Sequence, residues 1–105
     1  MNISYGVCIS LMLLSAPIAF AKEHVVSQKG KQFAPEELTI SAGDTIVFKN
    51  DDDTSHNVFA TGEGSKFNLG IQKPATETRH DFTSPGEMTI RCAIHPKMKI
   101  KVVVK

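Results

Sequence analysis

The chain lacks most of what would commit it to a nucleic acid, a membrane or a disulfide framework. It has no tryptophan among 105 residues. It also has no basic run interleaved with aromatics, so the usual stacking and phosphate-binding surfaces are missing. A formal net charge of +1 gives no general attraction to polyanions. Internal repeats and low-complexity linkers are absent. No stretch shows a convincing helical period, although residues 63–72 read ambiguously. Cysteine is scarce, with only Cys8 and Cys92.

The first of these cysteines belongs to a segment that reads as removable. Ile9 to Leu14 form an apolar stretch, Pro17 breaks it, and Ala19-Phe20-Ala21 has the small-x-small pattern of a signal-peptidase site. No Lys or Arg precedes the apolar stretch, so the terminal amine alone supplies positive charge there. The reading is a secretory signal over residues 1–21, cleaved after Ala21, with one domain over residues 22–105. The alternative is an uncleaved anchor, which the short, Pro-broken stretch fits poorly. Cys8 lies too early for a lipoprotein signal, with the apolar stretch after it. Removing 21 of the 105 residues leaves 84, with Cys92 as the one cysteine. No internal disulfide is then possible, and a domain this small usually needs some other staple. An exported lone thiol is open to oxidation and mispairing, and binding a metal as thiolate removes that liability. The expected location is the periplasm, with no stable membrane insertion once the signal is removed.

Short apolar segments separated by turn residues make up the rest. Gly30, Pro35, Gly43-Asp44, Asn50 to Asp53, Gly62 to Gly64, Pro74 and Pro85-Gly86 punctuate the chain. Between them lie strands near 38–40, 45–48, 56–59, 78–82, 88–92 and 99–104. This spacing predicts an all-β antiparallel sandwich or barrel. Residues two apart in a strand share a face. Cys92 therefore points with Met88 and Ile90, Met98 with Ile100, Val102 and Val104, and His56 with Val58 and Ala60. Lys97, Lys99, Lys101 and Lys105 point out. His95 sits at the tip of Cys92-Ala93-Ile94-His95-Pro96-Lys97-Met98, where Pro96 disfavours helix and stiffens the turn.

His56, Cys92, His95 and Met98 are thus expected to meet as metal ligands. One thiolate, two imidazoles and a thioether suit copper. Zinc also accepts Cys and His, but a thioether serves it poorly. Taken singly, Cys92 or Met98 could be plain core. A Cys–His nucleophile has no evident third orienting residue or oxyanion hole, so no enzyme activity is expected. Asp51-Asp52-Asp53 reads as a solvated turn, or as an acidic rim that steers a basic partner. His80 reads as an ordinary strand histidine. With cleavage after Ala21, Lys22-Glu23-His24 could chelate a second Cu(II) through the free amine, two amide nitrogens and an imidazole.

Several motifs together resemble the cupredoxin family of type 1 copper proteins. Gly43 to Asn50 resembles the strand before its first ligand, Ser55-His56-Asn57-Val58 its His-Asn-Val motif, and Phe82-Thr83-Ser84-Pro85-Gly86 the turn before its cysteine strand. The Cys-x-x-His-x-x-Met spacing resembles the amicyanin-like members; plastocyanin-like members place Met further on. The resemblance covers nearly all of residues 22–105 and implies a Greek-key β-sandwich with one Cu(I)/Cu(II) ion at one end. It implies copper bonds from Cys92, His56 and His95, Met98 as a long axial contact, and Asn57 tying the His56 segment to the Cys92 loop. It also implies a monomeric one-electron carrier between redox proteins, such as a c-type cytochrome or a periplasmic dehydrogenase. The other function left open is copper buffering, tolerance or delivery with the same ligands. Ile94 stands where amicyanin-like loops carry Pro, and Lys97 where they carry an apolar residue. Methylamine dehydrogenase is therefore not carried over as the partner.

Overall fold

The structure is a computed structural model, and it describes residues 21–62 and 65–105. The expected leader up to residue 20, with Cys8, lies outside the described residues, as do residues 63–64 of the Gly62–Gly64 turn. Nine strands form two sheets among the described residues. One sheet contains β1 (Glu23–Lys29), β2 (Gln32–Ala34), β4 (Asp44–Asn50) and β7 (Glu77–Phe82), in the order β2-β1-β4-β7. The other contains β3 (Glu37–Ile40), β5 (His56–Ala60), β6 (Phe67–Gln72), β8 (Gly86–Arg91) and β9 (Lys99–Val104), in the order β3-β9-β8-β5-β6. The chain passes from one sheet to the other five times, the connectivity of a Greek-key sandwich. No described helix is long and apolar enough to cross a membrane.

The predicted faces hold. In β9, Ile100, Val102 and Val104 are buried while Lys99 and Lys101 are exposed; in β8, Ile90 is buried between exposed Thr89 and Arg91. Val26, Phe33, Phe48, Ile90, Ile100 and Val102 fill the space between the sheets, and their removal from water is the main force holding the layers together. Strands β1, β2 and β6 had no clear apolar alternation to announce them. Pairing also departs from a purely antiparallel sandwich: β1 runs parallel to β4, and β3 parallel to β9. A parallel neighbour needs a crossover, and here β2 and β3 supply the one between β1 and β4.

Topology brings one end of the sandwich to a point. Strand β5 is antiparallel to β8, and β8 to β9. The first residue of β5, the residue after β8 and the residue before β9 therefore lie at the same end. They are His56, Cys92 and Met98.

The N-terminal part is fastened by Asp44, which is only 4 % exposed. Its carboxylate accepts hydrogen bonds from the backbone nitrogens of Lys22 (3.0 Å) and Ser41 (2.9 Å), and its Oδ2 lies 2.9 Å from His24 Nε2. These contacts, the Lys22 N–H foremost, lower the Asp44 pKa from 3.8 to about 2. A lowered carboxyl pKa adds stability above the unfolded value, and that stability disappears as pH falls through the folded one. Wild-type stability, read by urea unfolding, is therefore expected to fall as the pH drops from 3.8 to about 2. Asp44→Asn should be less stable near neutrality and lose less over that interval.

Candidate metal centre

His56, at the start of β5, is fully buried, and Cys92 is 1 % exposed. His95, at the tip of the loop joining β8 to β9, is half-buried. Three of the four predicted ligands come together: the donor atoms of His56, Cys92 and His95 all lie within 4.8 Å of one another. His56 Nδ1 is 3.1 Å from His95 Nδ1, and Cys92 Sγ is 3.8 Å from the same nitrogen. Both imidazoles thus present Nδ1, with their ring centroids 4.9 Å apart and the rings edge-on. Met98, the fourth, is 1 % exposed and packs in the same core cluster as Cys92. Its backbone N–H closes the loop on the His95 carbonyl at 2.9 Å.

Asn57 holds the two halves of the site together. Its backbone N–H points at Cys92 Sγ (3.2 Å), a contact that stabilises negative charge on sulfur. Its side-chain oxygen accepts from the Ala93 N–H at 3.2 Å. Its amide nitrogen donates to the Gly70 carbonyl (2.9 Å) and to Asn68 Oδ1 (3.0 Å) on β6. One buried side chain therefore bridges the β5, β6 and Cys92 segments.

The acidic turn has a role that neither reading of it foresaw. Asp51 and Asp53 are exposed, but Asp52 turns in, with Oδ2 2.9 Å from His56 Nε2. The same oxygen accepts the Lys31 N–H at 2.9 Å, and Oδ1 accepts the Asp53 N–H at 3.1 Å. The Lys31 contact, then the His56 contact, hold the Asp52 carboxyl well below the usual carboxylate range. The one hint in the sequence was an acid four residues before a ligand, a spacing without meaning in a loop.

His24 and His80 lie elsewhere. His80 stacks on Phe67 (centroids 3.9 Å apart) and meets Phe82 edge-on, and burial lowers its pKa. His24 and the Lys22 nitrogen both rest on Asp44, and Glu23 and His24 are already part of β1. Wrapping Lys22-Glu23-His24 around a second Cu(II) would break all of these contacts.

The donors fit copper. One sulfur and two imidazole nitrogens converge in a mostly buried pocket, and Asp52 occupies the remote nitrogen of His56, leaving Nδ1 for a metal.

Comparison with known proteins agrees with this chemistry. The profile of copper-binding proteins of the plastocyanin/azurin family matches residues 21–105. A methylamine utilization protein MauL from Methylophilus methylotrophus is 32% identical over 87 residues, covering 80% of this chain and 50% of its own length. A protein of the same name from Methylorubrum extorquens is 34% identical over 90 residues, covering 83% and 79%. The chain thus spans half the length of the first of these relatives. Among solved structures, a reduced amicyanin with a tryptophan-to-tyrosine substitution matches with TM-score 0.74 at 27% identity, covering 79% of this chain and 82% of that one. A copper-containing nitrite reductase from Thermus scotoductus matches with TM-score 0.72 at 28% identity, covering 77% of this chain but 22% of the reductase.

Asn57→Ala leaves the Ala93 N–H and the Gly70 carbonyl without their partner at part-buried positions. The expected loss is about 1–3 kcal/mol for the two hydrogen bonds, read as a lower urea midpoint with unchanged denaturant slope.

Proposed function

Because this chain belongs to the plastocyanin/azurin family of copper-binding proteins, we propose that it is a periplasmic one-electron carrier. Copper is its cofactor. The proposed ligands are His56 and His95 through Nδ1, Cys92 through its sulfur, and Met98 as a weak fourth donor. The observation that carries the reading is the convergence of three such donors within 4.8 Å at one end of the sandwich. Copper held there supplies a centre that gains and loses one electron at nearly constant geometry.

The surrounding residues serve that task. Asn57 and the Met98–His95 backbone bond keep the loop rigid, so the donors move little between oxidation states. Burial of His56 and Cys92 keeps water from the sulfur. His95 alone of the three reaches the surface, beside exposed Ile94 and Pro96, and is the proposed exit for the electron.

Residues 1–21 are proposed to be an export signal. Cleavage after Ala21 would place a new α-ammonium on Lys22, whose nitrogen already lies 3.0 Å from Asp44 Oδ1. The proposed partners are a periplasmic dehydrogenase and a c-type cytochrome. The names of the two curated relatives favour a setting in methylamine utilization. Lys97 beside His95 gives a docking face unlike that of amicyanin-like loops. Copper buffering or delivery is the weaker reading, since the terminal chelate that would favour it is tied to Asp44.

Titration with Cu(II) is expected to saturate at one equivalent and to produce an intense visible thiolate-to-copper absorption, bleached by mild reductant and restored by oxidant. Cys92→Ala should lose the band entirely. A wild type that binds copper without that band would sink the reading.

A further inference from the structure

Cations gather on the outer face of the β8–β9 pair, beside the metal end. Arg91 and Lys99 stand directly opposite each other in that ladder, and both are exposed. Like charges set across two antiparallel strands repel, so this pair costs stability. Further along β9 the chain does the reverse, and Lys101 reaches Glu87 at 2.6 Å. Among the described residues Arg91, Lys97 and Lys99 have no such carboxylate partner. Lys97 is exposed and follows closely on His95. Together the four cations line an open cleft of about 450 Å³, with Glu36 and Glu37 at its β3 side. Asp51 and Asp53 are exposed on the turn before β5, at the same end of the sandwich. The net charge of +1 therefore hides a separation of signs around the metal centre.

We propose that Arg91, Lys97 and Lys99 form a docking surface for an acidic patch on the protein that exchanges electrons with this one, seating it against His95. The proposal rests on the electron-carrier reading above. Three cations side by side attract carboxylates over about a Debye length, roughly 10 Å at 0.1 M salt, and speed the encounter. A carboxylate of the partner placed between Arg91 and Lys99 relieves their repulsion, so a cost in the free protein becomes a gain in the complex. Lys97 carries the surface up to His95, where a seated partner meets the imidazole edge. A flat anionic membrane pressed on this end would also meet Asp51 and Asp53, whereas a discrete acidic patch can face the cations alone. A partner with a basic docking face is repelled by the same charges.

Two measurements test this, both at about 0.1 M ionic strength. Hexaglutamate added to the ¹⁵N-labelled Cu(I) protein should shift the amide resonances of Arg91, Lys97 and Lys99 before any others; shifts centred elsewhere, or none, overturn the proposal. Stopped-flow oxidation of the Cu(I) protein by hexacyanoferrate(III) and by tris(phenanthroline)cobalt(III) compares an anionic with a cationic acceptor. A change in the copper potential alters both rates together, so their ratio reads the surface charge. Lys97→Glu and Lys99→Glu should each lower the anion-to-cation ratio about tenfold. Lys105→Glu makes the same charge change about 20 Å from Lys99 along β9 and should leave the ratio within about twofold of wild type. Arg91→Glu should lower the ratio while keeping or raising the urea midpoint, because it sets opposite charges across the ladder. Equal effects of Lys97→Glu and Lys105→Glu overturn the proposal while the copper reading stands. A wild type that sediments with phosphatidylglycerol vesicles but shows no hexaglutamate shifts also overturns it, in favour of a membrane surface. A wild type without the visible band removes the copper reading instead, and hexaglutamate shifts on the metal-free protein alone then decide whether this face takes an acidic partner.

Discussion

Asn57 donates its backbone N–H to Cys92 Sγ and accepts the Ala93 N–H on its side-chain oxygen, and these two hydrogen bonds span the place where the β5–β8 ladder stops. Strands β5 and β8 pair only at Phe59 with Arg91 and Ala60 with Ile90. The β5–β6 register also shifts between Asn57 and Phe59. Pairing between β5 and β8 therefore ends short of the metal centre, while β5 stays paired to β6 at His56 and Asn57. Asn57 replaces the missing ladder with one contact to the sulfur and one to the next backbone N–H. The contact to the sulfur is buried and the one to Ala93 partly buried, so breaking them leaves polar groups poorly compensated by water. Everything about the site, including which nitrogens face the sulfur, presupposes that bridge.

A second constraint acts through strand β1. Its two ends are fastened by carboxylates from the two ends of β4. Asp44, at the start of β4, takes the Lys22 N–H and the His24 ring; Asp52, two residues beyond the end of β4, takes the Lys31 N–H and the His56 ring. Each carboxylate gathers two backbone N–H groups and one imidazole, which makes it costly to neutralise or move. The parallel β1–β4 pair is thus clamped along its length. At one end of the clamp the imidazole belongs to a terminal strand; at the other it belongs to the metal centre. The same device that fixes a sheet edge also orients a ligand.

What could be read from the amino acids divides along physical lines. Strict alternation in Met88–Cys92 and Met98–Val104 places Cys92 and Met98 inward, because period-two patterning on a half-buried strand has one solution. The tight Cys-x-x-His-x-x-Met loop then leaves His95 at the tip. Strands β1, β2 and β6 carry mixed polar and apolar residues, including the buried amides Gln28 and Gln72, which bond to each other at 2.6 Å. Their place is set by partners far along the chain, not by local pattern. The parallel pairs are invisible for the same reason. Asp52 looks like its neighbours in composition, and only the loop backbone shaped by Asn50 turns it inward while Asp51 and Asp53 face solvent.

The fold itself brings the donors together, and that bears on what binding has to accomplish. His56 Nδ1 and His95 Nδ1 lie 3.1 Å apart, so both rings already face one point. Asp52 fixes one ring from behind, and Pro96 stiffens the loop bearing the other. Ordering these side chains is therefore a cost of folding, met by the core and the clamp. A centre assembled in this way resists rearrangement when its charge changes. That resistance is what an electron carrier needs, because each ångström of ligand motion on reduction would have to be undone on oxidation. A protein built to release its metal has the opposite requirement, and the clamped His56 is difficult to reconcile with it.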